Sequence, residues 1–456
     1  MNKLYKLGLI FLISCQSLPE SQLVQPRGDI KFMTVDPGHF HSALVQKNGY
    51  EGVDNTAEVF ALDGKDLELH LEKIAQFNSR TENPTAWDLK VYRGEDYFEK
   101  MLKSGNGNTV VLAGNNQKKT DYILSSVKNG LNVYSDKPMA IDAEGFEKLK
   151  SAFQIANEKN LLLYDIMTER FEITTILQKE LSQIPEVFGE LEKGTLDNPS
   201  VTKESVHHFY KYVAGKPLVR PRWFFDVKQE GEGLVDVMTH LVDLVQWECY
   251  PEQIIDHKED IKILSAKRWP TVLSLEEFQK VTQSNGFPEY FDNWLSNDST
   301  LEVFCNGEII YELKGVTAKT SVTWAYQAPP GTGDTHYSIM RGSKASLEIR
   351  QGKEQDFTPT LYILSSSNDE NYKEIVTTYF QLIQEKYPEV ALKEIVGGWE
   401  VIIPQSYRIG HEAHFTQVTQ KFIEYYKNGN MPEWEVPNMI AKYYLTTRAL
   451  EMALED

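Results

Sequence analysis

The chain reads as two units: an α/β domain of Rossmann type, with a doubly wound parallel sheet, then an α+β domain with a mostly antiparallel open sheet. Three observations predict this. Strand-like and helix-like segments alternate with short connections over residues 29–166, the pattern of parallel βαβ units. Past about residue 170 that rhythm gives way to successive strand-like runs, and the chain closes in helices. At 456 residues it is also long for a single domain.

In order, strands are expected at 30–35, 58–62, 109–112, 132–135 and 161–164. Helices are expected from 40–46, 67–77, 119–129 and 143–159. In the second unit, 171–181 and 233–247 read as helices. Strands follow at 261–266, 299–305, 308–313, 320–324, 345–350 and 360–364. Asn306-Gly307 separates two of these runs and carries the signal of a hairpin turn. Helices close the chain at 371–386, 411–426 and 437–454. There are no repeats and no low-complexity segments.

A formal net charge of −19 leaves no basic stripe to neutralise phosphates, which argues against nucleic acid as a partner. The first 15 residues read as a signal: Lys3 and Lys6, an apolar run over 7–13, then Ser14-Cys15. Leu12-Ile13-Ser14-Cys15 is similar to a bacterial lipobox, so Cys15 is the expected lipidation site. Residues 16–28 are polar and contain proline, as a tether does. An exported, lipid-anchored protein of a Gram-negative bacterium is the expectation, periplasmic or attached to the outer membrane. Cys249 and Cys305 read as buried thiols, with a disulfide left open, and are too few for a metal-thiolate site.

Two segments carry chemistry. Asp136-Lys137-Pro138 ends a β-rich run. A residue before proline is driven to extended backbone, which sets Lys137 at the strand's C-terminal lip, where open α/β sheets bind ligands. Gly231-x-Gly233-x-x-Asp236-x-x-x-His240-x-x-Asp243 places an acid and an imidazole four residues apart, on one face of the expected helix. Apolar neighbours all round predict burial of that helix. A carboxylate beside an imidazole fixes its tautomer and supports its protonated form, and an ammonium at the same centre stabilises a developing alkoxide.

Asp36-Pro37-Gly38-His39-Phe40-His41 lies where a dinucleotide fold carries its glycine-rich turn. Only Gly38 of three expected glycines is kept; Asp36 and His41 hold the outer positions. Gly38, His39 and Phe40 are the candidate phosphate contacts. Asp63, closing the second strand, can bond a ribose hydroxyl and disfavours a 2′-phosphate, which points to NAD rather than NADP; taken alone, Asp63-Gly64 is better accounted for as a strand-end turn.

Together these segments resemble the Gfo/Idh/MocA family of NAD(P)-dependent oxidoreductases, in its exported type with a distinct C-terminal domain. Asp136-Lys137-Pro138 is similar to the family's E-K-P, and the Gly231–Asp243 segment to its G-G-G-x-x-x-D-x-x-x-H-x-x-D helix. Asn115 matches a further motif after the strand at 109–112, but Lys118 stands where that motif has histidine. The resemblance implies Lys137, Asp236 and His240 as the catalytic set, with His240 the proton acceptor, and Lys137 and Asn115 as cofactor contacts. Asp243 reads equally as support for the site or as a packing residue. Arg222, Trp223, His336 and His411 are further candidates for substrate contact. His411, Glu412 and His414 do not have the spacing of a His-Glu-x-x-His metal site, and no metal ligands are assigned.

The expectation is therefore a nicotinamide-dependent oxidoreductase that moves hydride at a carbinol carbon of a sugar or glycoside. A homo-oligomer is compatible with it. The leader has no arginine pair, so the chain would be exported unfolded and capture its cofactor outside. Tightly held NAD and redox-neutral chemistry then follow, as in an NAD-dependent glycoside hydrolase. A non-catalytic carbohydrate-binding lipoprotein on a degenerate dehydrogenase fold, and a metal-dependent hydrolase centred on His411 and His414, are the competing readings.

Overall fold

The computed structural model describes residues 28–455 except 105, 214–215, 297–299, 368 and 370. The expected signal, Cys15 and the tether up to residue 27 lie outside the described residues. Among the described residues, no helix is long and apolar enough to cross a membrane.

The first domain is a six-stranded parallel sheet in the order β3-β2-β1-β4-β5-β6. Its strands are β1 (Phe32–Val35), β2 (Thr56–Ala61), β3 (Asp88–Arg93), β4 (Thr109–Leu112), β5 (Asn132–Asp136) and β6 (Leu163–Ile166). The helices are α1 (His41–Leu44), α2 (Lys65–Ser79), α3 (Tyr97–Ser104), α4 (Lys119–Lys128) and α5 (Ala143–Glu158). Strand order reverses between β1 and β4, so the C-terminal ends of these two strands form the crevice where such sheets bind ligands. β1, β4 and β5 are buried along their whole length, as strands covered on both faces are, and β1 and β4 are mostly apolar. β3 and α3 extend the sheet beyond the expected elements.

The second domain begins with α6 (Ile173–Ser182) and β7 (Val201–Tyr210). A short ribbon of β8 (Tyr212–Val213) and β9 (Lys216–Pro217) precedes α7 (Met238–Cys249). Then come β10 (Ile261–Ser274), α8 (Leu275–Thr282), β11 (Leu295–Ser296), β12 (Thr300–Leu313), β13 (Val316–Gln327), β14 (Thr335–Arg341), β15 (Ala345–Arg350) and β16 (Thr360–Ser365). The chain ends with α9 (Tyr372–Tyr379), α10 (Gln381–Lys386), β17 (Ala391–Ile395), β18 (Gly398–Ile402), α11 (His411–Asn428) and α12 (Glu435–Glu455). The large sheet runs β10-β12-β13-β7-β14-β15-β16-β18-β17, antiparallel except where β13 meets β7. The fold class is the expected one.

Two expectations are corrected. Asn306-Gly307 is no turn, because β12 runs straight through it. The Asn306 side chain bonds the Trp269 carbonyl at 3.0 Å and accepts from the Trp324 amide at 2.6 Å, spanning a register shift in the ladder to β10. Gly307 lies against Leu234: a Cβ there would stand 2.5 Å from Leu234 Cδ2. The hairpin turn is Lys314-Gly315, both with positive φ (50° and 79°), as a two-residue turn matched to strand twist requires. The helix expected from residue 233 begins only at Met238. Gly231 has φ 101°, and a Cβ on Gly233 would lie 2.1 Å from the Cys305 carbonyl oxygen, so the segment stays a turn pressed onto β12.

α11 crosses back to the first domain. Phe415, Val418, Phe422, Tyr425 and Tyr426 join the core built on β1, β4, β5 and β6, and Tyr134 stacks on Phe422 at 4.4 Å. The C-terminal segment therefore fastens the two domains together.

Candidate active site between the domains

A cleft of about 1520 Å³ opens at the strand reversal. One wall is Asp36–Phe40, Asp63–Asp66 and α2; the other is residues 217–224 and 282–290 of the second domain. Gly38 keeps the turn bare: a Cβ there would meet the Trp223 ring at 3.0 Å and Asp66 Oδ2 at 3.3 Å. Gly114, at the end of β4, allows the same closeness behind the turn, since a Cβ would lie 2.1 Å from the Asp36 carbonyl oxygen. Burial raises the Asp36 carboxyl above the usual carboxylate range; Lys118 and the hydroxyls of Tyr97 and Tyr122 oppose that shift.

His39 and Phe40 line the cleft, with ring centroids 4.5 Å apart. Asp63 also lines it, at the end of β2, and is held by Arg93 at 2.5 Å. Arg222 and Trp223 stand on this nucleotide side, with Trp223 Nε1 donating to Asp66 Oδ2 at 3.0 Å, rather than beside Lys137. Asn115 donates to Gln229 Oε1 at 2.7 Å, and Asn116 to the Glu230 carbonyl at 2.7 Å. The loop after β4 thus grips the second domain.

Lys137 and Asp236 meet across the domains, with Nζ donating to Oδ1 at 2.5 Å. Burial alone would lower the lysine's pKa, but Asp236 and Asp136 outweigh it and hold the ammonium above its ordinary value. His240 lies beside this pair, yet Asp236 is not its partner: Nδ1 of His240 is buried and makes no hydrogen bond. Burial, then the Lys137 charge, keeps its pKa well below the usual 6.5, so the ring is neutral rather than the supported imidazolium that its spacing from Asp236 suggested.

Asp243 is a packing residue in a buried ion network. Arg170 holds it with bonds of 2.6 and 2.7 Å, and Lys442 Nζ with one of 2.7 Å. Lys442 also reaches Asp165 at 2.7 Å, and Arg170 reaches Glu435 at 3.1 Å. This network ties β6, α7 and α12 together.

His336 sits on β14, its amide bonded to Gln351 Oε1 at 2.8 Å, and no hydrogen bond or ion pair joins it to Lys137, Asp236 or His240. From the same loop Asp334 does more. It binds His207 at 3.0 Å and Lys211, and Lys211 is close enough to disfavour protonation of His41 and His411. His411 reaches the first domain at His41, while Glu412 pairs with Lys47 at 2.8 Å and His414 is buried.

Several site groups were missed in the sequence. His41 Nδ1 lies 2.8 Å from Asp136 Oδ2, a contact between residues 95 apart in sequence. Lys119 Nζ donates to the Asp136 carbonyl at 3.1 Å, and burial lowers its pKa to about 8. Glu230 is buried near Asp236, and burial, then the Asp236 charge, raises its carboxyl well above the usual range. Its position next to Gly231 was the only available signal.

A parallel sheet of dinucleotide-binding type, an antiparallel second domain and a lysine, aspartate and histidine gathered between them define an oxidoreductase architecture. Residues 177–454 match the family model described as "Putative oxidoreductase C terminal domain". A solved "putative oxidoreductase" from Parabacteroides merdae is 54% identical, over 94% of this chain and 98% of that one, with a TM-score of 0.92. The chain belongs to this family of oxidoreductases, with a distinct C-terminal domain. The fold is shared more widely. A levoglucosan dehydrogenase solved with NADH and levoglucosan is 12% identical over 94% of this chain and 97% of that one (TM-score 0.58). An oxidoreductase domain protein from Kribbella flavida is 14% identical over 94% and 98% (TM-score 0.60). No curated protein matches the chain.

Proposed function

We propose that the protein is an NAD-linked oxidoreductase that moves hydride between a carbinol carbon of a sugar or glycoside and the nicotinamide ring. The observation that carries this is the meeting of Lys137 and Asp236 at 2.5 Å, with a half-buried, neutral His240 close enough to feel the Lys137 charge; none of the three lines the cleft at the strand reversal itself. The cleft suits a dinucleotide. Its turn is bare at Gly38, it has room for a cofactor and part of a substrate, and Asp63 stands where a ribose hydroxyl would be read. Levoglucosan dehydrogenase, which shares the fold, was solved with NADH and a sugar, in keeping with this substrate class.

NAD, when bound, supplies a ring carbon that accepts hydride. The chain's own residues manage the proton. Neutral His240 takes it from the substrate hydroxyl, and a base held neutral is ready to accept. The Lys137 ammonium donates to the same oxygen and stabilises the charge that develops there. Asp236 holds that ammonium in place and keeps it charged. The substrate C–H pair leaves as hydride, the O–H bond gives its proton to His240, and a ketone remains.

The test is reduced-nicotinamide absorbance on adding NAD and a panel of glycosides and polyols. No absorbance change with any of them, together with no nicotinamide released on denaturation and no NAD binding, would favour the non-catalytic carbohydrate-binding alternative. Export on a Cys15 anchor belongs to the same proposal. It predicts that radiolabelled palmitate is incorporated into the chain and not into a Cys15→Ser variant.

A further inference from the structure

α11 carries His411 back against the first domain, where its Nε2 lies 3.4 Å from Nε2 of His41. Behind each ring stands a carboxylate. His41 Nδ1 is 2.8 Å from Asp136 Oδ2, and His411 Nδ1 is 3.7 Å from Glu169 Oε1. An imidazole that gives its Nδ1–H to a carboxylate presents a bare lone pair at Nε2. That holds for His41; His411 Nδ1, 3.7 Å from Glu169, makes no hydrogen bond to it, so His411 Nε2 meets His41 Nε2 either through one N–H or through an ion shared between them. Two nitrogens bound tetrahedrally to one ion at about 2.0–2.1 Å would stand about 3.3–3.4 Å apart, the separation found here. A carboxylate behind a metal-bound histidine is the arrangement that fixes the tautomer and raises ligand basicity.

We propose that His41 and His411 bind a divalent transition-metal ion of the zinc class through their Nε2 atoms, with His41 oriented by Asp136. His39 and Asp136 stand on the Nδ1 side of His41, with His39 Nδ1 3.9 Å from the Asp136 oxygen that His41 Nδ1 meets, so neither is counted as a ligand of the Nε2-bound ion. The His411 side chain is 42% exposed, so the remaining positions open to solvent or a substrate hydroxyl. The ammoniums of Lys119, Lys137 and Lys211 oppose any cation here. Imidazole bonding rather than net charge must hold it, which selects zinc, cobalt, nickel or copper over magnesium or calcium. The site does not depend on the hydride-transfer reading.

The test uses the purified full chain, treated with chelator and dialysed. Cobalt(II) is titrated with visible absorption as readout and zinc(II) by calorimetry, with metal per chain counted by mass spectrometry. One ion per chain is expected. His411→Ala, at an exposed helix start, should weaken zinc binding at least tenfold with unchanged circular dichroism, and Asp136→Asn should weaken it less. His414→Ala should leave it unchanged. Featureless cobalt spectra with no zinc heat would overturn the proposal. So would zinc binding that survives His411→Ala but is lost in His39→Ala.

Discussion

Lys137, at the C-terminal lip of β5, and Asp236, in the turn before α7, join the two domains by one hydrogen bond of 2.5 Å. Neither is paired within its own domain by a comparable charge contact. The bond therefore reports domain closure and active-site assembly together.

Replacing Lys137 with Met should lower kcat by roughly 10²–10⁴-fold, the range expected when a positioned proton-handling group is lost. It also leaves the buried Asp236 carboxylate unpaired, which costs stability. Asp236→Asn should have the same two effects. In the double variant the stability losses should fall short of their sum by about 0.5–3 kcal/mol, the range for directly contacting residues. Denaturant melts of the four proteins measure this coupling. Strict additivity would mean the pair is not formed, and full turnover by Lys137→Met would remove its catalytic role.

The acid limb of activity tests His240. A general base works in its neutral form. Burial and the Lys137 charge hold its pKa well below 6.5, so protonation sets in only at lower pH than for an ordinary histidine. The pH profile of kcat/KM for alcohol oxidation should be level through pH 6.5 and fall only below it. A midpoint at or above 6.5 would contradict the buried, neutral ring.

His70 offers a cleaner reading of the same physics. Its Nδ1 meets Ser42 Oγ at 2.9 Å, and burial alone lowers its pKa to about 4. The unfolded chain has an ordinary histidine near 6.5, so between pH 6.5 and 4 it binds more protons than the folded one and stability is lost as pH falls. A His70→Phe variant lacks this term. Between those limits the wild type should lose up to about 1.4 kcal/mol per pH unit relative to the variant. Urea titrations at pH 7, 6 and 5 measure it, and parallel curves would show that His70 is not buried neutral.

Local pattern made much of this molecule legible. Apolar strands alternating with helices revealed the first domain, and two short motifs singled out Lys137, Asp236 and His240, of which Lys137 and Asp236 meet in the structure. β3 escaped notice because Asp88–Arg93 is an edge strand whose residues are mostly exposed and carry no continuous apolar run. Asn306-Gly307 misled because its two residues serve tertiary contacts, one bridging strands and one making room for Leu234. The spacing of Asp236 and His240 suggested a pair, but Lys137 competes successfully for the carboxylate from another domain. The His41–His411 contact joins residues 370 apart, and no local pattern encodes it.

Asp243 shows how a motif position can serve the fold instead of the chemistry. Its carboxylate is buried, which alone would raise its pKa, yet Arg170 and Lys442 outweigh burial and hold it well below the usual range. Both cations lose their shared partner in Asp243→Ala. Breaking a buried pair costs about 3–5 kcal/mol when the remaining charge is left alone; here Glu435 still holds Arg170 and Asp165 still holds Lys442, so the loss falls toward the lower end of that range. Sign follows from the same shift: the stabilisation is complete above pH 3.8 and is lost as pH falls below it, so the deficit of the variant should be largest at neutral pH and shrink in acid. α7 carries His240 on the same helix, so the folded remainder of the variant should keep its KM within a few-fold while its melting temperature drops. A variant that melts with the wild type would mean that Glu435 and Asp165 suffice to hold Arg170 and Lys442; one that melts normally but has lost kcat would make Asp243 a support for the site rather than a packing residue.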